Sequence, residues 1–277
     1  MARPDAPRRL IVNADDFGRS QAINAAVVRA HRDGILTSAS LMVNEPASAE
    51  AAVLARENPR LGVGLHLTLL CGHSVLLPEQ IPGLVNARQE FRRNAVAAGF
   101  RYFTDGRLRE QLRAEIHAQF SRFAATGLEL DHVDGHVHQH LHPTAFRLLM
   151  EDARQLGIRR FRLTRDPFWL NARLASGRWL YRAFGAGVYL WLSTRARRRL
   201  AGRGILHTRF VFGVLQDSRM DERFLLNLLP RLPAGDSELY SHPSLDKFKH
   251  EFDALVSPRV KALVEQSGIQ LIRYQDL

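Results

Sequence analysis

Cysteine is almost missing from this chain: Cys71 is the single one in 277 residues. No disulfide can form within one copy, which suits a reducing compartment, and Cys71 itself reads as a small buried apolar residue. No apolar run approaches the roughly 18 residues of a membrane-spanning helix. Residues 1–9 (MARPDAPRR) lack the apolar stretch of a secretory signal, so a cytoplasmic setting is expected. No Pro-, Gly- or Ser-rich linker divides the sequence and no repeat is visible. One domain over residues 1–277 is therefore expected. Lysine is scarce too, at 3 of the 39 basic residues. Arginine identity is then partly a matter of coding bias and carries less meaning than usual.

Charge is abundant but uneven. The net charge is +11, yet residues 159–209 hold 13 arginines and one acid, Asp166, for +12, which leaves −1 for the rest. Residues 165–205 within that stretch contain all three tryptophans, Trp169, Trp179 and Trp191, interleaved with arginines. They read as an amphipathic helical insertion in the domain. Such a segment either packs its aromatics on the core or lies on an anionic membrane with its arginines snorkelling to the headgroups. Nucleic acid is the other polyanion to weigh, but no recognised nucleic-acid module is present.

Histidine is concentrated. Five of the twelve histidines fall in His132–Pro143 (HVDGHVHQHLHP), with Asp134 among them, all at even positions. If that stretch is extended, the six side chains share one face. Imidazoles and a carboxylate on one face suggest a metal site, with about two of the five histidines expected as ligands.

The rest of the chain alternates strand and helix patterns about seven times. Predicted strands cover 9–13, 35–43, 61–70, 129–134, 158–164, 207–212, 238–241 and 269–274. Predicted helices cover 21–32, 47–56, 105–126, 143–155, 221–229 and 255–266, with Ser20 as an N-cap and Gly34, Gly127 and Gly157 as stops. Residues 71–103 show no periodicity and read as a long loop, a candidate lid. This alternation predicts an α/β fold with a parallel sheet, closed or nearly closed as a barrel. Asp15 and Asp16 follow the first strand, His66 is late in the third, His136 and His138 end the fourth, and His242 ends the one from Glu238. In a parallel barrel those strand ends meet on one face.

Four motifs carry a family resemblance: ADDFG at 14–18, GLH at 64–66, DGHVH at 134–138, and ELYSHP at 238–243. In this order they resemble the carbohydrate deacetylases of the YdjC type, over nearly the whole chain. The resemblance implies a distorted, seven-stranded, TIM-barrel-like (β/α) fold and metal-dependent hydrolysis of an N-acetyl amide. It implies a divalent cation, magnesium or zinc, held by Asp16, His66 and His136, with Asp15 as general base and His242 as general acid. His138, Asp134, Arg162 and Glu238 are expected as supporting or substrate-facing residues. More narrowly, Asp15–Ser20, residues 101–133 and HQHLHP at 138–143 are similar to the hopanoid biosynthesis-associated deacetylases. That implies an N-acetylglucosamine headgroup on a membrane triterpenoid, with contact at the inner membrane face. The rival substrate is a soluble N-acetylated chito-oligosaccharide; the rivals in kind are a basic nucleic-acid or membrane-surface binding protein without catalysis, and a phosphoesterase. A homodimer is compatible with the sequence.

These residue types suit amide hydrolysis. A cation held by two imidazoles and one carboxylate keeps positions open, polarises the acyl oxygen and lowers the pKa of water. A neighbouring carboxylate can accept the proton of water, and an imidazole titrates in the range needed to protonate the departing amine.

Overall fold

The computed structural model describes residues 6–174, 177–216 and 218–277, without the Tyr181 side chain. An α/β domain is built on one strand, β1 (Arg8–Phe17), which pairs with three others. Around it lie β2 (Ser38–Leu41), β3 (Gly62–Leu67), β4 (Val133–Gly135), β5 (Phe210–Phe212), β6 (Gly235–Ser241) and β7 (Gln270–Ile272). Six follow the order β4-β3-β2-β1-β6-β5, and every pairing is parallel. The seventh, β7, takes β1 at Arg9–Ile11, below β2, which takes it at Asn13–Phe17.

The sheet is curled rather than a complete ring of strands. The expected strand over 158–164 is absent as a ladder and survives as single parallel bridges, Val133 to Phe161 and Arg160 to Leu206. Backbone bonds from Arg162 N to Val133 O (3.0 Å) and Val211 N to Arg165 O (3.0 Å) carry this irregular segment across the gap between β4 and β5.

Alternation along each strand separates two interiors. Leu10, Val12, Ala14, Ala39, Leu41, Val63, Leu65, Leu67, Val133 and Leu239 point outward into the main apolar core under the helices. The alternate positions, among them Asn13, Asp15, Ser40, His66, Asp134 and Glu238, are buried and polar. The concave side of the sheet is therefore a polar lattice. Gly64 belongs to it for a steric reason: a Cβ there would sit 2.5 Å from the His132 imidazole.

The helices are α1 (Gln21–Asp33), α2 (Ser48–Glu57), α3 (Ala95–Thr104), α4 (Leu108–Ala124), α5 (Pro143–Glu151), α6 (Phe168–Leu174), α7 (Trp179–Ala201), α8 (Glu222–Leu228), α9 (Lys249–Val256) and α10 (Pro258–Gln266). Ser20 caps α1 by accepting from Ile23 N, and Gly34 closes it, as the sequence predicts. Three expectations need correction. The loop over 71–103 holds α3, whose short Ala-rich pattern gave no signal. The helix after Pro143 stops at Glu151. The late helix is two, split where Pro258 starts α10 behind its Ser257 cap. The insertion over 165–205 contains two helices, α6 and α7, packed on one another, with α7 also on α5. Among the described residues no helix is long and apolar enough to cross a membrane.

Candidate active site

The extended reading of the histidine stretch holds only to Gly135. From His136 to Leu141 the chain coils into a 3-10 turn, with Val137 (φ 52°) and His138 (φ 56°) both left-handed. A β-branched residue in that region is strained, at roughly 1–3 kcal/mol. The turn scatters the five imidazoles instead of aligning them. His132 stays inside the sheet, stacked on Tyr274 at 4.1 Å. His140 Nε2 faces the Arg162 carbonyl at 3.0 Å, and burial pushes its pKa down to about 4. His142 caps α5, its Nδ1 accepting from Thr144 N, and its Nε2 bonds the Gly99 carbonyl of α3 (3.0 Å). His138 rests edge-on to Tyr189 (5.1 Å) and Tyr240 (5.5 Å), and burial together with His140 holds it well below the usual imidazole range. His136 alone joins Asp16 and His66, its Nδ1 2.9 Å from Asp16 Oδ1.

Asp16 occupies the end of β1 with φ 64°, a conformation aspartate tolerates better than most residues. Its Oδ2 accepts from Arg19 (2.7 Å), and its Oδ1 lies 3.4 Å from His66 Nε2. Burial would raise this carboxyl, but the His136 charge and the imidazole contacts hold it well below the usual range. His66 is fixed from behind. Its Nδ1 lies 2.8 Å from Asp134 Oδ1; against a carboxylate that nitrogen must be the donor, which leaves Nε2 as the nitrogen that faces Asp16, a cation ligand whenever it is unprotonated.

A second group, Asp15, His66 and Asp134, also satisfies the distances of a cation site. It is already filled by protein. Arg162, fully buried, donates to Asp15 Oδ1 (2.7 Å) and Oδ2 (2.8 Å), and lies 2.6 Å from both Asp134 and Glu238. Asn13 Nδ2 adds a bond to Asp15 Oδ1 (2.9 Å) and another to Ser40 Oγ (2.8 Å). Ser40 in turn donates to Asp134 (2.9 Å), and Tyr274 OH donates to Glu238. Burial pushes the Glu238 carboxyl up, opposed by Arg162. For Arg162, burial is outweighed by Asp134, Asp15 and Glu238, which hold the guanidinium well above its ordinary value.

The first group fits a divalent cation. Asp16 Oδ1 and His66 Nε2 are buried and make no hydrogen bond of good geometry, although such atoms are ordinarily satisfied; their polar neighbours are His136 Nδ1, 2.9 Å from the carboxylate oxygen, and one another at 3.4 Å. Formal charge agrees. Four buried carboxylates (Asp15, Asp16, Asp134, Glu238) meet two guanidiniums (Arg162, Arg19), an excess of two negative charges. The same excess acts on His66: burial lowers its pKa, yet Asp134 and Asp15 raise it to about 10. Positive charge is wanted at that nitrogen, and one carboxylate with two imidazoles is an open-site donor set for zinc-like cations.

His242 follows β6 directly, its backbone N–H donating to Glu251 (2.5 Å) and its ring 5.2 Å from Tyr240. Its charge is the last of those that help hold the Asp16 carboxyl down. Asn13, Ser40, Arg19, Tyr274 and Glu251 were not singled out from sequence. For Asn13 and Ser40 a signal existed: polar residues at alternate positions of otherwise apolar strands. Arg19, Tyr274 and Glu251 gave none. Glu115 and Gln119, without a role in the sequence, pin the chain that follows His66 to α4. Glu115 accepts from Val75 N (2.9 Å) and Leu76 N (3.0 Å), and Gln119 bonds both Thr68 N (2.9 Å) and Thr68 O (2.7 Å).

Comparison with known proteins gives the family. The chain is 41% identical to a carbohydrate deacetylase of Geobacillus stearothermophilus, across 98% of each. It is 30% identical to a chitooligosaccharide deacetylase of Serratia marcescens, across 97% of this chain and 98% of that one. A carbohydrate deacetylase of Brevibacillus brevis is 42% identical over 153 residues, where the match spans 57% of that protein. The fold matches a crystal structure from Enterococcus faecalis V583, described as a candidate cellobiose-phosphate cleavage protein, with a TM-score of 0.75 at 23% identity, over 98% of this chain and 99% of that one. Residues 9–266 match the model of the YdjC-like protein family, and the chain belongs to that family.

Proposed function

We propose that this protein is a metal-dependent carbohydrate N-deacetylase that hydrolyses the acetyl amide of an N-acetylglucosamine headgroup carried on a hopanoid lipid. The deacetylase reading rests on family membership and on full-length relatives named for that activity. The observation that carries the chemistry is the pair of orphaned buried atoms, Asp16 Oδ1 and His66 Nε2, beside the tethered Asp15.

Asp16, His66 and His136 would hold the cation, which when bound supplies Lewis acidity toward the acyl oxygen and acidifies water. Asp15 Oδ2 lies 3.9 Å from His66 Nε2 and takes the proton of the attacking water. Arg162 and Asn13 fix its plane, so the carboxylate need not reorganise as the proton moves. His242 gives a proton to the sugar nitrogen as the C–N bond breaks, and acetate and a free amine leave. Asp134 keeps the His66 tautomer.

The lipid-linked substrate rests on the resemblance of residues 15–20, 101–133 and 138–143 and on the aromatic-basic insertion. A soluble chito-oligosaccharide is the second reading, favoured by the naming of the Serratia marcescens relative. Acetate release from N-acetylglucosaminyl lipid and from N-acetylated chito-oligosaccharides, with and without chelator, separates them. The expected outcome is faster release from the lipid, loss on chelation, and a fall of about 10²–10⁴-fold in Asp15→Asn with metal content unchanged. Turnover indifferent to both chelation and Asp15→Asn sinks the mechanism. Equal or better turnover of the soluble sugar transfers the substrate to the second reading.

A further inference from the structure

We infer that the outer faces of α3 and α7, the helices that touch the histidine turn, form a docking surface for an anionic lipid bilayer. On α7, Leu180, Phe184, Val188 and Trp191 recur every three or four residues and all face solvent, Phe184 at 76% exposure and Trp191 at 54%. The opposite face of the same helix turns Ser193, Ala196 and Leu200 to the protein. The ordinary amphipathic arrangement is thus doubled: one stripe is satisfied by the core and a second apolar stripe is left outside. On α3, Val96, Phe100 and Phe103 repeat the pattern, Phe100 at 68% and Phe103 at 69% exposure, while Ala98 and Tyr102 are buried.

The two stripes reach a common groove at Phe103 and Trp191. A groove of about 730 Å³ runs between them, walled by Phe103 and Trp191 and rimmed by Arg147, Arg195, Arg198 and Arg199. Arg195 lies over the Trp191 ring at 5.0 Å. Scattered exposed apolar side chains need no explanation, but a contiguous patch does. Aromatic and aliphatic side chains beside arginines match a bilayer interface, where rings enter the headgroup region and guanidiniums reach anionic lipid.

Charge selects the occupant. A second copy meeting this face through a two-fold axis would bring the same four arginines of the groove and no acid from its lining to pair with them. An anionic bilayer neutralises them instead. Position agrees as well. His138 packs on Tyr189 of α7 and His142 bonds the Gly99 carbonyl of α3, so both helices brace the turn that delivers His136. A bilayer seated there would lie on the helices that brace this turn. This deepens the lipid-linked reading above, but its test needs no substrate.

The test is cosedimentation of the full chain with phosphatidylcholine vesicles, with and without phosphatidylglycerol, at low and high salt. Wild type should bind the anionic vesicles about tenfold more than the neutral ones and release at high salt. Phe184→Ser and Phe100→Ser, on different helices, should each weaken binding about tenfold. Arg198→Glu with Arg199→Glu should abolish the preference for anionic lipid. All should keep the wild-type circular dichroism spectrum. Equal sedimentation with both vesicle types and all variants overturns the surface. So does a Phe184→Ser-sensitive dimer without vesicle binding, which assigns the face to a second copy, or duplex DNA binding without vesicle binding. Vesicle binding in the absence of any acetate release would sink the deacetylase reading and leave the surface standing.

Discussion

Beneath Asp16, Arg162 is fully buried against Asp15, Asp134 and Glu238, while on α7 Phe184 and Trp191 stand in solvent. Charge lies inside at one region and apolar surface outside at the other. Burying a charge is costly unless every partner is present, and the lattice supplies them: Asn13, Ser40, Tyr274 and three carboxylates close around one guanidinium. The exposed stripe has no such closure. The difference teaches that the two regions answer to different constraints. The lattice is a self-consistent interior with a cation-sized exception at Asp16 and His66. The stripe is an incomplete surface.

Breaking the lattice should have the largest effect. Arg162→Met leaves three buried carboxylates without their cation, and denaturant unfolding should show a loss of about 3–5 kcal/mol. A loss below about 1 kcal/mol would mean that solvent already reaches the lattice.

Acid should attack the turn beside it next. The His140 imidazole is held at about 4 by burial, below its ordinary 6.5. The folded state then binds fewer protons than the unfolded one between those values. Its contribution is complete above about pH 6.5 and is lost as pH falls through about 4, an upper bound of roughly 3 kcal/mol. Thermal melts across that window should show the slope, and His140→Gln should flatten it. An unchanged slope would assign the acid sensitivity elsewhere.

Asp134→Asn sharpens the comparison from the metal side. It keeps the shape but loses the charge that fixes the His66 tautomer, so metal affinity by competitive chelator titration should fall about 10–100-fold. The smallest effect belongs to the stripe. Phe184→Ser removes an exposed ring, and the unfolding free energy should move by no more than about 0.5 kcal/mol. A larger loss would show that the ring is packed in solution.

Much of the inner site was legible because strands have a strict period. Asp15 at the end of β1, His66 late in β3, and Glu238 and His242 around β6 could be placed at one sheet end by counting strands. Arg162 could be placed only loosely, since its segment bridges β4 and β5 without forming a ladder. The histidine stretch was misjudged for a local reason. Its even spacing assumes extended backbone, and the left-handed pair Val137 and His138 breaks that assumption right after Gly135. Little in the stretch announces the turn: histidine is tolerated at positive φ, but a β-branched valine there is an outlier that no pattern predicts. Helix α3 escaped notice because it is short and its larger apolar residues, Val96, Phe100 and Phe103, face solvent rather than the core.

By itself, the sequence determined the alternating α/β plan and the strand ends where acids and imidazoles collect, because backbone periodicity and burial act locally. The tertiary structure decided which of those groups are spent on one another. Asp15, Asp134 and Glu238 are engaged by Arg162, from as far as 147 positions away in the chain, while Asp16 Oδ1 and His66 Nε2 stay open. That division depends on distances between strands, which no local pattern encodes. The exposed side of α7 was decided in the same way: its composition fits either packing or a membrane surface, and only its seat against α5 and the histidine turn turns Phe184 and Trp191 outward.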